Sequence, residues 1–135
     1  MTPELKDISS VDWDGDTELP VGSCVWLHLE IGVAGRPGAD LFQIGVCDPA
    51  WRDLNVRDQS QEFSVGDVHF AGEAILLLDA IEMVRIKQAV NSILNRFGAF
   101  DDWRDFGNSM KRFAVWEFDL YGSEELSAAS GETSA

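Results

Sequence analysis

The alternation of apolar and polar positions is clearest over residues 23–33. Val25, Leu27, Leu29, Ile31 and Val33 fall on one face there, and Trp26, His28 and Glu30 on the other. A period of two over this length predicts a half-buried strand. A Gly/Pro-rich turn at 34–38 leads into a second alternating run, 40–47, with Phe42, Ile44 and Val46 on one face, so the two runs form a predicted hairpin. Pro49 has no backbone donor for a ladder and ends the second strand. Residues 51–66 are polar and carry no period, and are expected to be irregular. A further strand is expected to start at 68–70. The continuous apolar run 74–78 has the length and the Ile/Leu content of a central strand. Residues 5–8 form a weak first strand.

The period then changes. Ile86, Val90, Ile93, Leu94 and Phe97 recur at i, i+4, i+7, i+8 and i+11, one stripe of an amphipathic helix. Asp79 is its expected N-cap and Gly98 its stop. Asp101 or Asp102 caps a shorter helix carrying Trp103, Phe106 and Met110, with an acidic first turn that suits the helix dipole. Residues 113–121 read as the last strand, with Ala114, Trp116, Phe118 and Leu120 on one face. The expected fold is α+β: a mostly antiparallel sheet of about four to five strands, with one long and one short helix packed on one face. Residues 1–121 are expected to make a single domain. Residues 122–135 are small, polar and acidic, with too little apolar surface to offset the entropy of ordering, and are expected to be a disordered tail.

Charge changes the picture more than composition does. The 135 residues carry 10 basic and 24 acidic side chains, a net charge of −14. That field repels phosphate backbones and anionic membranes, so neither nucleic acid nor a membrane surface is an expected partner. It speeds encounter with a basic partner in a salt-dependent way, although solubility alone would also account for it. No apolar run approaches the length of a membrane span. Residues 1–10 have neither the basic start nor the apolar centre of a leader, so a cytoplasmic location is expected. The two cysteines, Cys24 and Cys47, lie in apolar strand patterns and read as buried free thiols.

Candidate chemistry is sparse. His28 and His69 lack companions at zinc spacing. The loop bearing Asp12, Asp14, Asp16 and Glu18 lacks the glycine and the bidentate glutamate of a calcium loop, and reads as a solvated acidic loop. No metal and no cofactor is expected. Nucleophile-elbow and phosphate-cradle motifs are absent. Glu117 and Asp119 project to the same side of a strand, roughly 7 Å apart by strand geometry. They are the one carboxylate pair considered for acid/base work, against the commoner reading of a solvated face. Tryptophan is more informative. Trp13 sits within the acidic loop with no strand pattern to bury it, and Trp51 follows a strand exit. Aromatic rings rimmed by carboxylates are good anchors for a basic partner. Core packing is the preferred reading for Trp51, Trp103 and Trp116, whereas burial and exposure are equally open for Trp13. The candidate partner-binding residues are Asp12, Trp13, Asp14, Asp16, Asp48 and Trp51.

The segment 42–51, ending Val46-Cys47-Asp48-Pro49-Ala50-Trp51, carries a VC-x-P-x-W signature. An apolar strand and a long helix follow, then Trp103 in a short helix, then a strand containing Trp116-Glu117 and ending in Tyr121. In this order the chain resembles the Immunity protein 8 family of bacterial polymorphic-toxin systems, over roughly residues 23–121. The family-motif residues are Cys47, Pro49, Trp103, Trp116, Glu117 and Tyr121. Asp48 stands where the family often has Thr, and Arg52 where an aliphatic residue is expected. The resemblance implies a cytoplasmic antidote that binds and blocks a cognate toxin domain and catalyses nothing. The charge adds that this toxin is expected to be basic, with a nuclease as a candidate class. An adaptor docking a basic segment, or a small carboxylate-dependent hydrolase, are the alternatives.

Overall fold

Leu27 lies opposite Ile44, Leu29 opposite Phe42 and Val25 opposite Val46, so the two strongest alternating runs face each other in register. Burying both apolar rows on the same side makes this hairpin the spine of the molecule. The structure, a computed structural model, describes residues 1–117. Its elements run β1 (Pro3–Ser9), β2 (Cys24–Val33), β3 (Asp40–Cys47), α1 (Pro49–Asn55), β4 (Phe63–Val65), β5 (Val68–Gly72), β6 (Ile75–Leu77), α2 (Met83–Phe97), α3 (Trp103–Ser109) and β7 (Val115–Trp116). The strands form one sheet in the order β1-β2-β3-β6-β5-β4, with β7 also pairing β3.

The α+β class stands, with corrections of detail. Seven strands are present among the described residues rather than four to five, and the sheet is mixed, because β3 and β6 run parallel. A parallel neighbour needs a crossover of a dozen or more residues. Here α1 and the β4–β5 hairpin supply it. There are three helices among the described residues rather than two. The segment expected to be irregular contains both α1 and β4; each is too short to show a period. α2 begins later than expected, at an N-cap of Glu82 whose side chain makes no capping bond, so Asp79 does not cap it. Asp102 caps α3 as expected, accepting from the Arg104 amide, and α2 stops at Gly98 with φ of 69°.

One face of the sheet is covered by α2 and α3. Ile86, Ala89, Val90, Ile93 and Leu94 of α2 pack with Leu27, Leu29, Phe42, Ile44, Val46, Phe70 and Leu76 in one core. Each large side chain of this set contributes about 1.5–3 kcal/mol by leaving water. Aromatic rings extend the core toward α3: Phe106 meets Phe42, Phe97, Phe100 and Trp103 at centroid distances of 4.6–5.8 Å. The free edge strand β1 carries Pro3 and an irregularity between Leu5 and Asp7, two devices that discourage edge-to-edge pairing. The remainder of the last strand, including Phe118, Asp119, Leu120 and Tyr121, and the expected tail lie outside the described residues.

Candidate interaction surface

Strand directions bring the acidic segments together. The end of β1, the start of β2 and the ends of β3 and β6 share one edge of the sheet, as their register requires. The loop between β1 and β2 therefore lies beside the start of α2. Between them is a cleft of about 680 Å³ lined by Asp16, Glu18, Asp48, Asp79 and Glu82, with Leu19, Val21, Ile81 and Met83 as apolar wall. No lysine or arginine lines it. Glu82 is paired with Arg85 at 2.6 Å, but Glu18 and Asp79 have no ion-pair partner among the described residues.

The six candidate contact residues fare differently. Trp13 is only 8% exposed and belongs to the core. Its indole N–H donates to the Thr17 carbonyl at 2.8 Å. No strand pattern surrounds it; the loop itself folds back to close over it. Its ring is therefore the loop's own anchor rather than an exposed one. Asp14 is a turn organiser: its carboxylate accepts from the Thr17 hydroxyl and from the Thr17 and Asp16 amides at 2.6–2.8 Å. Those donors, the Thr17 hydroxyl first, lower its pKa to about 2. Asp12 accepts from the Ser10 hydroxyl at 2.6 Å and is exposed, as is Asp16.

Asp48 is the one buried carboxylate among the described residues, at 7% exposure. It accepts from the Trp51 amide at 2.8 Å, capping α1, and from the Gly22 and Ser23 amides at 2.7 and 3.3 Å, tying the acidic loop to the helix. Burial pushes its pKa up, but these three donors outweigh it and the value ends lowered. A threonine could cap the helix but could not accept so many bonds, so at this position the aspartate holds the loop as well. Arg52 pairs with Asp53 at 3.0 Å and Glu62 at 3.1 Å. Trp51 is half-buried in the first turn of α1.

The motif tryptophans have a shared structural task. Trp103 and Trp116 both donate their indole N–H to one oxygen of Asp40, at 2.7 and 3.1 Å. Trp116 stacks on Phe42 at 6.2 Å and lies so close to α3 that a Cβ on Gly107 would stand 2.4 Å from its ring. Glu117 accepts from the Leu41 amide at 3.1 Å, fixing β7 to the start of β3. Pro49 opens α1, where a missing N–H costs nothing. Cys47 is fully buried opposite Cys24 in the hairpin, both thiols free. Desolvation, then the neighbouring Cys24 and Asp48, push Cys47 up to about 12, and burial also raises Cys24. Burial thus disfavours the thiolate at both positions, although Cys24, expected to be buried, is only half-buried. Tyr121 lies outside the described residues.

One exposed aromatic lies outside the candidate set: Trp26, 49% exposed on the side of the sheet away from α2. The alternating pattern holds the signal that could have found it, since a tryptophan on the hydrophilic face of a strand has no core to enter. Among the described residues no group of His, Cys, Asp and Glu is placed to hold a metal, and no helix is long and apolar enough to cross a membrane. His28 and His69 are engaged with Gln43 and Ser64 at 3.2 and 2.6 Å.

Set beside known proteins, residues 4–121 match the family model described as Immunity protein 8. No curated protein and no solved structure matches the chain.

Proposed function

The chain belongs to the Immunity protein 8 family, and from that membership we propose that it neutralises a cognate bacterial toxin by stoichiometric binding, without catalysis of its own. The observation that carries the electrostatic part of this reading is the gathering of Asp16, Glu18 and Asp79 around one cleft, in a chain of net charge −14. A surface of that sign favours a basic toxin domain, and an enzyme that grips phosphate, such as a nuclease, is the class it fits best. The expected place of action is the cytoplasm. The hydrolase reading is weakened by Glu117, whose carboxylate is committed to the Leu41 amide. The contact set is proposed to centre on exposed Asp12 and Asp16 with half-buried Trp51. Trp13, Asp14 and Asp48 shape the loop that presents the two aspartates.

Steering by this surface raises association above the unsteered ~10⁵–10⁶ M⁻¹s⁻¹ and makes it sensitive to salt. The experiment is co-purification with the toxin domain encoded beside this chain's gene, followed by stopped-flow association at rising ionic strength. A stable complex whose association rate falls several-fold between low and physiological salt is the expected result. No complex at all would defeat the immunity reading, whereas a complex with a salt-independent rate would remove the acidic end from it.

A further inference from the structure

On the face of the sheet opposite α2, the outward row of β2 is Cys24, Trp26, His28 and Glu30. Within that row Trp26 is 49% exposed, while Cys24, His28 and Glu30 are half-buried. Trp26 lies across from Gly45, and a Cβ built there would stand 3.0–3.3 Å from three atoms of the indole's benzo ring. The glycine is therefore what lets the ring rest against the strand, held in place yet about half exposed. Ring area presented without rotamer entropy to lose is the quality of a binding anchor. On one side, the Ser10 hydroxyl lies 2.8 Å from the Trp26 carbonyl and 2.6 Å from the Asp12 carboxylate, with both oxygens as acceptors for its hydrogen. The acidic loop thus begins at the tryptophan's own backbone, with Val11 91% exposed between Ser10 and Asp12.

On the other side, Asp7 of β1 stands directly opposite Glu30 of β2. Two like charges at facing cross-strand positions destabilise a sheet. Neither carboxylate has an ion-pair partner among the described residues. The nearest cation along β1, Lys6, is spent on Glu4 at 3.1 Å and the Arg36 carbonyl at 2.7 Å. A cation from outside would relieve that repulsion.

We propose that this open sheet face, anchored by Trp26 and flanked by Asp12 on one side and the Asp7–Glu30 pair on the other, is a contact surface for the toxin. The occupant is an arginine- or lysine-bearing segment, one cation lying over the indole and another between Asp7 and Glu30. This rests on the immunity reading and adds a location to it. Cation–π contact and charge pairing on a rigid ring are the chemistry that recognises such a segment.

The test measures affinity for the same toxin domain with the full chain and two variants, alongside thermal stability and oligomeric state. Trp26→Ala is expected to weaken binding about 30-fold or more, as hot-spot truncations do. Asp7→Asn combined with Glu30→Gln is expected to leave the fold at least as stable, by removing the repulsion, yet to slow association. That second variant keeps the test decisive should Trp26→Ala misfold. Wild type and both variants binding equally well would overturn this surface while leaving the immunity reading intact. Failure of wild type to bind overturns both. Loss of a dimer in Trp26→Ala, with toxin affinity unchanged, would assign the face to a second copy of the chain and overturn the proposal.

Discussion

Asp48 does at the scale of one residue what a disulfide often does in a small protein: it joins segments far apart in sequence. Its carboxylate holds the first turn of α1 and the Gly22 and Ser23 amides together. Replacing it with alanine strands those donors, and Asp48→Ala is expected to cost about 2–3 kcal/mol at neutral pH, read by urea denaturation. The pH dependence follows from the lowered pKa. Ionised Asp48 contributes stability that is fully present above the ordinary value of 3.8 and fades as pH falls through the lower folded value. The gap between wild type and Asp48→Ala should therefore narrow in acid below pH 3.8, and a gap that stayed constant would mean the carboxylate's charge contributes nothing. In the sequence Asp48 stands beside a strand end and a proline, but the loop it binds is not visible there, because Gly22 is twenty-six positions away. Trp13 is ambiguous for the same reason: burial of a residue without a periodic neighbourhood is decided by where its loop folds.

Among elements, the hairpin of β2 and β3 and the stripe of α2 are legible because their periods are long and consistent. What escapes is short or non-local: α1, β4 and the parallel pairing of β3 with β6. The clamp on Asp40 is of the second kind. It gathers β3, α3 and β7 through two indole N–H groups, and gives the motif positions Trp103 and Trp116 a packing explanation that requires no partner. Its tightest contact is Gly107 against the Trp116 ring. Gly107→Ala is expected to lose about 1–3 kcal/mol through overpacking. Gly72→Ala, whose added Cβ would meet nothing within 4 Å, serves as the comparison and should change stability by less than about 0.5 kcal/mol. Equal melting behaviour of the two variants would show that α3 can move away from the tryptophan at little cost.

For the molecule as a whole, charge and topology act together. The net charge is plain from composition, whereas its gathering at one end of the sheet emerges only when four strand ends and the start of α2 share an edge. Trp26 behaves alike: its face is readable from the alternation, its exposure over Gly45 is not. The proposed role as a stoichiometric binder needs a rigid surface and no turnover, and that is where it differs most sharply from the role of an enzyme. The most direct measurement is a titration of toxin activity with increasing amounts of this chain at toxin concentrations well above the dissociation constant. Activity should fall linearly and reach its floor at one equivalent, independent of incubation time. Progressive loss of toxin activity at a small fraction of an equivalent would reveal turnover and contradict the account, as would full activity in the presence of excess chain.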